Sequence, residues 1–468
     1  MKALNRKNIP TPKRPVKVLQ FGEGNFLRGF VDWMIEEMNE KAGFDGNVKI
    51  VQPLAQGLGE MLNAQEGLYH VKLQGIQAGQ SVDETKLITC VEGVNNPYAA
   101  YQEYLNLGTN PDLKFIISNT TEAGIAFDEN DIEYRKTPVT FPGKLTALLL
   151  ERYKVLGGDE ASGLVIIPCE LIDKNGEQLK AAILKYISLW GLSEEFKNWI
   201  ENHNTFCNTL VDRIVPGFPK DNIKEIQEEL GFEDNLVVMA EPFHLWVIEG
   251  PEELEKIFPG PKAGLQIKFV KDQSPYRTRK VRILNGAHTA LVPVAYLAGL
   301  RTVRESVEDP KIGAFIHETI YDEIIPTLDL SQEELEQFAS DVLDRFKNPF
   351  IRHELSAIAL NSISKFRVRV LPSILEYHSR NGSWPKNLIQ SFAALLLFYK
   401  GEFEGVKTPV NDDAEIIAFF EKLWSNQSES AIVEGVLKKE SFWGEDLSKY
   451  KGLSKAISEA MRLAVKIA

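Results

Sequence analysis

Cysteine is scarce in this chain, with three in 468 residues. Cys90, Cys169 and Cys207 stand far apart with no Cys-x-x-Cys spacing, which argues against a disulfide framework or a cysteine-built zinc site and for reduced thiols. Long apolar runs are missing too. Nothing approaches the ~18 consecutive apolar residues of a membrane-spanning helix, so no membrane partner is expected. The basic start Met1-Lys2-Ala3-Leu4-Asn5-Arg6-Lys7 has no apolar core behind it, so no signal peptide is expected and a cytoplasmic location is. Positive charge is also in deficit: 53 Lys and Arg against 66 Asp and Glu leave a net charge of -13, which opposes nucleic-acid binding. An anionic substrate would therefore need a local cluster of cations. The seven histidines are scattered without ligand spacing. Internal repeats and low-complexity tracts are absent. What remains is an ordinary globular composition, 44% hydrophobic and 25% charged, over a length that suggests two or three domains.

The first half alternates apolar β-rich runs with helical patterns. Candidate strands lie at 16–21, 48–53, 114–118 and 164–168, with another near 236–240, and this alternation predicts a doubly wound parallel sheet. Residues 68–75 and 81–91 read as paired strands inserted into the sheet region. A stretch rich in Pro and Gly, from Gly250 to Pro275, marks the crossing between domains. Beyond it the pattern is almost wholly helical. Asp309-Pro310 reads as an N-cap with proline at the first helical position, and Ser331-Gln332-Glu333-Glu334 as a capping box.

Within the first domain, Val16-Lys17-Val18-Leu19-Gln20-Phe21 is a buried strand that runs straight into Gly22-Glu23-Gly24 and then an amphipathic segment, Val31 to Met38. Strand, glycine turn and helix in that order make a Gly-x-Gly worth reading. Gly22 permits the tight turn. Gly24 lets the backbone approach a pyrophosphate at the helix N-terminus, where free N–H groups attract anions. Leu27 stands where the usual third glycine would be, and a plain turn is the alternative.

At the start of the second domain, Lys280, Asn285 and His288 are spaced five and then three residues apart in an otherwise apolar pattern. On an α-helix at roughly 100° per residue they would fall within one arc of about 140°. A lysine held beside two neutral hydrogen-bonding groups can serve as a general base where burial favours its neutral form. The bland alternative is a surface lysine, a capping asparagine and a core histidine.

The two motifs, with the segments between them, resemble the polyol-specific long-chain dehydrogenase family, also called the mannitol dehydrogenase family. Gly22, Gly24, Phe26 and Arg28 match its Gly-x-Gly-x-Phe-x-Arg, and Lys280, Asn285 and His288 match its Lys-x-x-x-x-Asn-x-x-His. Gln65-Glu66-Gly67-Leu68-Tyr69, Asn119 to Gly124, Val211 to Pro216 and Glu241-Pro242-Phe243 look like family landmarks in the family's order, so the resemblance spans nearly the whole chain. It implies an α/β fold: a Rossmann-like, NAD-binding doubly wound domain over residues 1–265, then a mostly α-helical substrate and catalytic domain over 266–468. It implies a metal-free oxidoreductase in which Lys280 is the general base, Asn285 donates to the developing oxyanion and His288 positions the reactive oxygen. Phe21, Gly22, Gly24, Asn25, Phe26, Arg28, Thr120 and Glu122 would hold the NAD, and Asp212, Lys365 and Arg369 the substrate.

Departures from the family pattern narrow the substrate. Leu171 stands where a second oxyanion-hole asparagine is expected, Arg277 replaces a glutamate three residues before the lysine, and Ala357 replaces an arginine eight residues before Lys365. Asn175 keeps a downstream Asn-Gly that serves a turn on the simpler reading. Arg352, Arg367 and Arg369 crowd the sequence near Lys365, and arginine pairs bidentately with a carboxylate. A sugar acid suits such a cluster better than a neutral polyol; a solvated basic helix edge is the alternative. For Asp212, a structural ion pair with Arg213 stays open. Gln52 ends the second strand where an acid often binds the ribose. The choice of NAD therefore rests on the resemblance. An epimerase that retains its cofactor and a non-catalytic dinucleotide sensor are the readings from other classes.

Overall fold

Six short apolar runs pair into one parallel sheet in the computed structural model, which describes residues 1–121 and 123–464. In chain order they are β1 (Val16–Phe21), β2 (Asn47–Val51), β3 (Val91–Asn95), β4 (Phe115–Ser118), β5 (Val165–Pro168) and β6 (Thr205–Phe206). Their spatial order is β3-β2-β1-β4-β5-β6, with every neighbouring pair parallel. The order reverses between β1 and β4, and in such sheets ligands bind beyond the strand C-termini at the reversal. Successive residues feed opposite cores. Val18, Ile50, Ile117 and Ile167 join Phe30 and Met34 on one face, while Leu19, Phe21, Ile116 and Ile166 join Leu145 and Leu148 on the other. The second core is covered by the helix Phe141–Leu156, started by Thr140, whose hydroxyl accepts from the Gly143 N–H, and stopped by left-handed Gly157.

The run near 236–240 is a strand, Val238–Ala240, but outside this sheet. It pairs in parallel with Tyr69–Gln77, whose other neighbour is Gln80–Ile88. The paired strands expected at 68–75 and 81–91 thus form in a separate three-stranded sheet. Their two-residue turn, Ala78-Gly79, has positive φ at both positions, which suits the twist of a hairpin. A further sheet joins Asn208–Asp212, Leu245–Glu249 and Ile267–Val270. Because Ile267–Val270 pairs with Leu245–Glu249, the first compact unit (Met1–Gln74 with Val82–Gln273) runs past residue 265.

The second unit comprises Ser274–Ala468 and the hairpin tip Gly75–Ser81, whose Gly79 N–H donates to Asp344 at 3.0 Å. Its described part is mostly helical, with one short antiparallel pair, Glu402–Phe403 with Val406–Lys407. The Asp309 carboxylate caps Pro310–Glu318, and the Ser331 hydroxyl caps Gln332–Phe346 by accepting from the Glu334 N–H. At the centre, Ala287–Leu297 packs on the buried helix Lys386–Phe398, with the Ser391 hydroxyl donating to the Ala290 carbonyl at 2.7 Å. No helix among the described residues is long and apolar enough to cross a membrane.

Beneath the glycine turn of the first unit lies a buried carboxyl. The Tyr69 hydroxyl donates to Asp32 at 2.6 Å, and the Gln20 amide donates both to Asp32 at 3.4 Å and to the Gly22 carbonyl at 3.2 Å. Burial pushes the Asp32 carboxyl up to about 7, against the pull of the Tyr69 and Gln20 bonds and the Arg28 charge. The folded state therefore binds this proton more tightly than the unfolded chain does. Stability falls as pH rises from about 4 to about 7 and levels off above. Asp32→Asn, which cannot ionise, should lose less melting temperature than wild type across that window. Parallel melting curves for the two proteins would show that Asp32 does not titrate there.

Candidate active site

The first unit contributes the turn between β1 and the helical run from Asn25 to Lys41. Gly22 has φ +121°, and a Cβ there would lie 2.9 Å from the Asn119 carbonyl oxygen, so the end of β1 touches the end of β4 backbone to backbone. A Cβ on Gly24 would meet nothing within 4 Å. Gly24 is the N-cap of the helical run and makes no side-chain cap bond. Open space over uncapped first-turn N–H groups at a sheet reversal fits a dinucleotide pyrophosphate.

Other residues assigned to this site from the sequence are engaged elsewhere. Phe21 packs its ring against Tyr104 and Phe141 in the core, leaving only its backbone at the turn. Arg28 is buried, and its guanidinium donates to the Glu23 carbonyl, the Leu236 carbonyl and the Asn25 side chain at 2.7–3.0 Å, holding the turn in place. Phe26 stacks on Phe30 at 4.9 Å. Thr120 gives both its N–H and its hydroxyl to Glu170 at 3.0 Å, and Ser118 donates to the other oxygen of the same carboxylate. Glu170, buried and with its carboxyl pushed up by that burial, thereby ties the ends of β4 and β5 together. Its role was not legible beforehand, because a strand-end acid carries no periodic signal. Gln52 folds its own loop, donating to the Leu54 and Ala55 carbonyls and accepting from the Gly59 N–H. Glu122 lies outside the described residues.

In the second unit, the Lys280 motif departs from the expected α-helix. Ser274–Arg279 is α-helical, Lys280–Gly286 is a π-helix, and Ala287–Leu297 returns to α. In a π turn the hydrogen bonds run from i to i+5, which sets Asn285 about one turn from Lys280. Lys280, Asn285 and His288 are each half-buried. His288 stacks on Phe346 with ring centroids 4.0 Å apart and planes at 22°, and meets His353 edge-on at 5.0 Å. Its Nε2 is buried and has no hydrogen-bond partner among the described residues. Burial, then the charges of Arg345 and Arg369 and the neighbouring His353, hold His288 well below the usual histidine range, so it is neutral.

The helix Ser362–Arg369 lies against this π turn. A Cβ on Gly286 would sit 2.9 Å from the Arg369 carbonyl oxygen, and Arg282 donates to the Val368 carbonyl at 2.9 Å. Among the three sequence-adjacent arginines the geometry selects one. Arg352 is exposed and paired with Glu354, and Arg367 is exposed beside Gly444. Arg369 is half-buried, reaches Thr289 at 3.5 Å and forms no ion pair among the described residues. Lys365 donates to the Ile358 carbonyl at 2.9 Å and likewise forms no ion pair there. Burial lowers both cations' pKa values, and for Lys365 the Arg369 charge adds to the effect.

Asp212, Leu171 and Asn175 belong to the first unit. Asp212 is buried at the end of its strand, and its neighbour Arg213 turns to the Glu241 and Gly29 carbonyls. Leu171 is exposed, at 62% of its full surface. Asn175 does more than form a turn. Its buried amide donates to the Pro168 and Glu170 carbonyls and accepts from the Thr209 N–H, knitting three segments together.

Residues 16–257 match the mannitol dehydrogenase Rossmann domain and residues 272–464 the mannitol dehydrogenase C-terminal domain. The chain is 49% identical over 459 residues to an altronate oxidoreductase of Phocaeicola vulgatus, covering 98% of this chain and 96% of that protein. Among solved structures, a D-sorbitol dehydrogenase in substrate-free form is similar with TM-score 0.82 at 21% identity, covering 100% of this chain and 99% of that one. Mannitol 2-dehydrogenase of Pseudomonas fluorescens, in a ternary complex with NAD and D-mannitol, is similar with TM-score 0.66 at 22% identity and the same coverage. A Rossmann sheet joined in sequence to a helical unit carrying a Lys-Asn-His motif is the build of a dehydrogenase acting on a CH–OH group. The chain belongs to the mannitol dehydrogenase family.

Gly22→Ala tests the backbone contact at the turn. The added Cβ meets the Asn119 carbonyl and the φ is unfavourable for any L side chain, so a loss of about 1–3 kcal/mol is expected by denaturant titration. An unchanged midpoint would mean that the turn relaxes freely.

Proposed function

We propose that the chain is an NAD-dependent oxidoreductase interconverting altronate and tagaturonate, serving hexuronate breakdown. The observation that carries the substrate class is the pair of cations beside the Lys280 motif, Arg369 and Lys365, which form no ion pair among the described residues of a chain with net charge -13. A partly desolvated cation without a counter-ion is unfavourable unless a ligand supplies the anion, and a planar guanidinium matches a carboxylate. The name carried by the Phocaeicola vulgatus relative agrees with a sugar-acid substrate.

In this reading Gly22, Gly24 and the first turn from Asn25 hold the pyrophosphate, with Arg28 and Glu170 shaping the loops around it. A cavity of about 410 Å³ opens beyond the ends of β2 and β3, lined by Gln52, Asn63, Asn95, Glu60 and Glu103 among others and by no Lys or Arg. Such a lining disfavours a 2′-phosphate and supports NAD over NADP. The cofactor supplies a hydride acceptor or donor. Lys280 takes the hydroxyl proton during alcohol oxidation and returns it during ketone reduction. Asn285 and neutral His288 hydrogen-bond the reacting oxygen, stabilising charge as it develops. Arg369 and Lys365 hold the substrate carboxylate, and Asp212 orients a substrate hydroxyl.

A substrate panel followed by NADH absorbance tests the reading. Tagaturonate should be reduced far faster than fructose or fructuronate, and NADH should serve better than NADPH. A preference for fructuronate would assign the chain to mannonate formation, and a preference for fructose to the neutral polyols. Tight cofactor retention without net NADH turnover would indicate an epimerase. Lys280→Ala should cut turnover by about 10²–10⁴-fold with NADH binding nearly unchanged. Arg369→Ala should raise KM for tagaturonate while leaving the weak reaction with fructose little changed. Turnover of Lys280→Ala within a few-fold of wild type would remove the lysine from the mechanism.

A further inference from the structure

A histidine that must present one nitrogen to a reacting oxygen usually has its other nitrogen fixed by a carboxylate or a backbone carbonyl. His288 is held differently. Among the described residues neither ring nitrogen takes part in a hydrogen bond, and Nε2 is buried. The contacts that restrain the ring are aromatic. Phe346, the last residue of the helix Gln332–Phe346, covers one face at 4.0 Å and 22°. His353 abuts the ring at 5.0 Å and 74°. The His353 backbone is itself pinned, its carbonyl accepting from the Val303 N–H at 3.0 Å. A flip of the His288 ring would have to sweep through the space these two side chains occupy.

We infer that Phe346 and His353 are positioning residues for His288, fixing its imidazole by stacking so that the buried, unpartnered Nε2 is kept for the reacting oxygen. The inference rests on the proposed role of His288. The groups facing the ring are Arg345 from the Phe346 helix, Arg369 from the helix Ser362–Arg369 and His353 from the segment between them; Lys280 shares its own helical run. The two arginines are cations and His353 lies close, so they add to the desolvation that Phe346 imposes, and the imidazole remains neutral. An aromatic clamp combines two functions that a carboxylate partner would set against each other. It orients the ring without placing a negative charge beside it, and burial with the two arginine charges outweighs the weak attraction of an aromatic face for a cation. Only spatial proximity joins residues 288, 346 and 353, so their spacing in the sequence gives no sign of it.

The test uses the full-length protein with tagaturonate and NADH, together with NMR of ring-labelled histidines. Phe346→Leu should lower kcat by about tenfold or more with KM changed only about two- to threefold. It should also release the His288 ring into a second orientation, read as exchange broadening or doubling of its ring resonances. Phe346→Tyr, which keeps the stacked ring, should restore both properties. His353→Ala should lower kcat in the same way and His353→Phe should recover it; this partly exposed site keeps the test open if the Phe346 variants fold poorly. Wild-type kcat together with a single sharp set of His288 ring resonances in Phe346→Leu and His353→Ala would overturn the clamp. His288→Gln separates the two levels of the argument: wild-type turnover there would remove His288 itself from the mechanism, whatever the clamp variants show.

Discussion

The contact at Gly286 is what the packing around the Lys280–Gly286 turn depends on. With no side chain there, the carbonyl of Arg369 comes within 2.9 Å of where a Cβ would be, and two helical segments meet backbone to backbone. Any larger residue would push the helix Ser362–Arg369 away from the Lys280–Gly286 turn. That displacement would break the Arg282 bond to the Val368 carbonyl and withdraw Arg369 from Thr289, the residue next to His288. The cations and the Lys-Asn-His motif come from segments some eighty residues apart, as the Arg369–Thr289 separation shows. One glycine lets them share a neighbourhood.

The first unit uses the same device. Gly22 brings the ends of β1 and β4 together, and Gly29, where a Cβ would lie 2.9 Å from the Val238 side chain, lets the π turn Arg28–Asp32 pack closely on its neighbours. Each of the two family motifs therefore ends or begins in a π turn containing a glycine in close contact. Such turns are rare and occur preferentially at functional sites. They are maintained by surrounding contacts: Arg28 and Tyr69 around the first, Arg282 and the Arg369 backbone around the second.

Much of the first unit could be read in the sequence because parallel strands buried on both faces are continuous apolar runs. Val16–Phe21, Phe115–Ser118 and Val165–Pro168 are of that kind. β6 is two residues long and β3 is broken by Gly93 at φ +136°, so neither shows a period. Val238–Ala240 was visible as a strand, but which sheet a strand joins depends on a partner far away in the chain. The π turns were hidden for another reason, since residues that favour α favour π equally and only the surrounding packing separates them. The family could be recognised from Gly22, Gly24, Phe26 and Arg28 with Lys280, Asn285 and His288. Yet the motif did not show that Arg28 and Phe21 support the turn from behind, or that Thr120 is spent on Glu170. Arg369 was already implied by the resemblance; what spacing did not show is that its helix meets the π turn, while Arg352 and Arg367 are exposed.

The positive field around His288 connects these details. Arg369, Lys365 and Arg345 lie near the motif in a protein whose average charge is strongly negative, so the field is local and its range is short at physiological ionic strength. In the proposed function a carboxylate entering it would gain a charge-assisted, bidentate partner, whereas a neutral polyol would leave Arg369 partly desolvated, and discrimination would follow from that penalty as much as from the attraction. The same field acts on two other groups. It opposes protonation of His288, which keeps the imidazole neutral, and in the proposed mechanism it would lower the energy of an alkoxide formed beside Asn285. An internal counter-ion at Arg369 would make the resting fold more stable. Under the proposed function it would also take the place of the substrate carboxylate, so the absence of an ion pair at Arg369 among the described residues is where stability would give way to function.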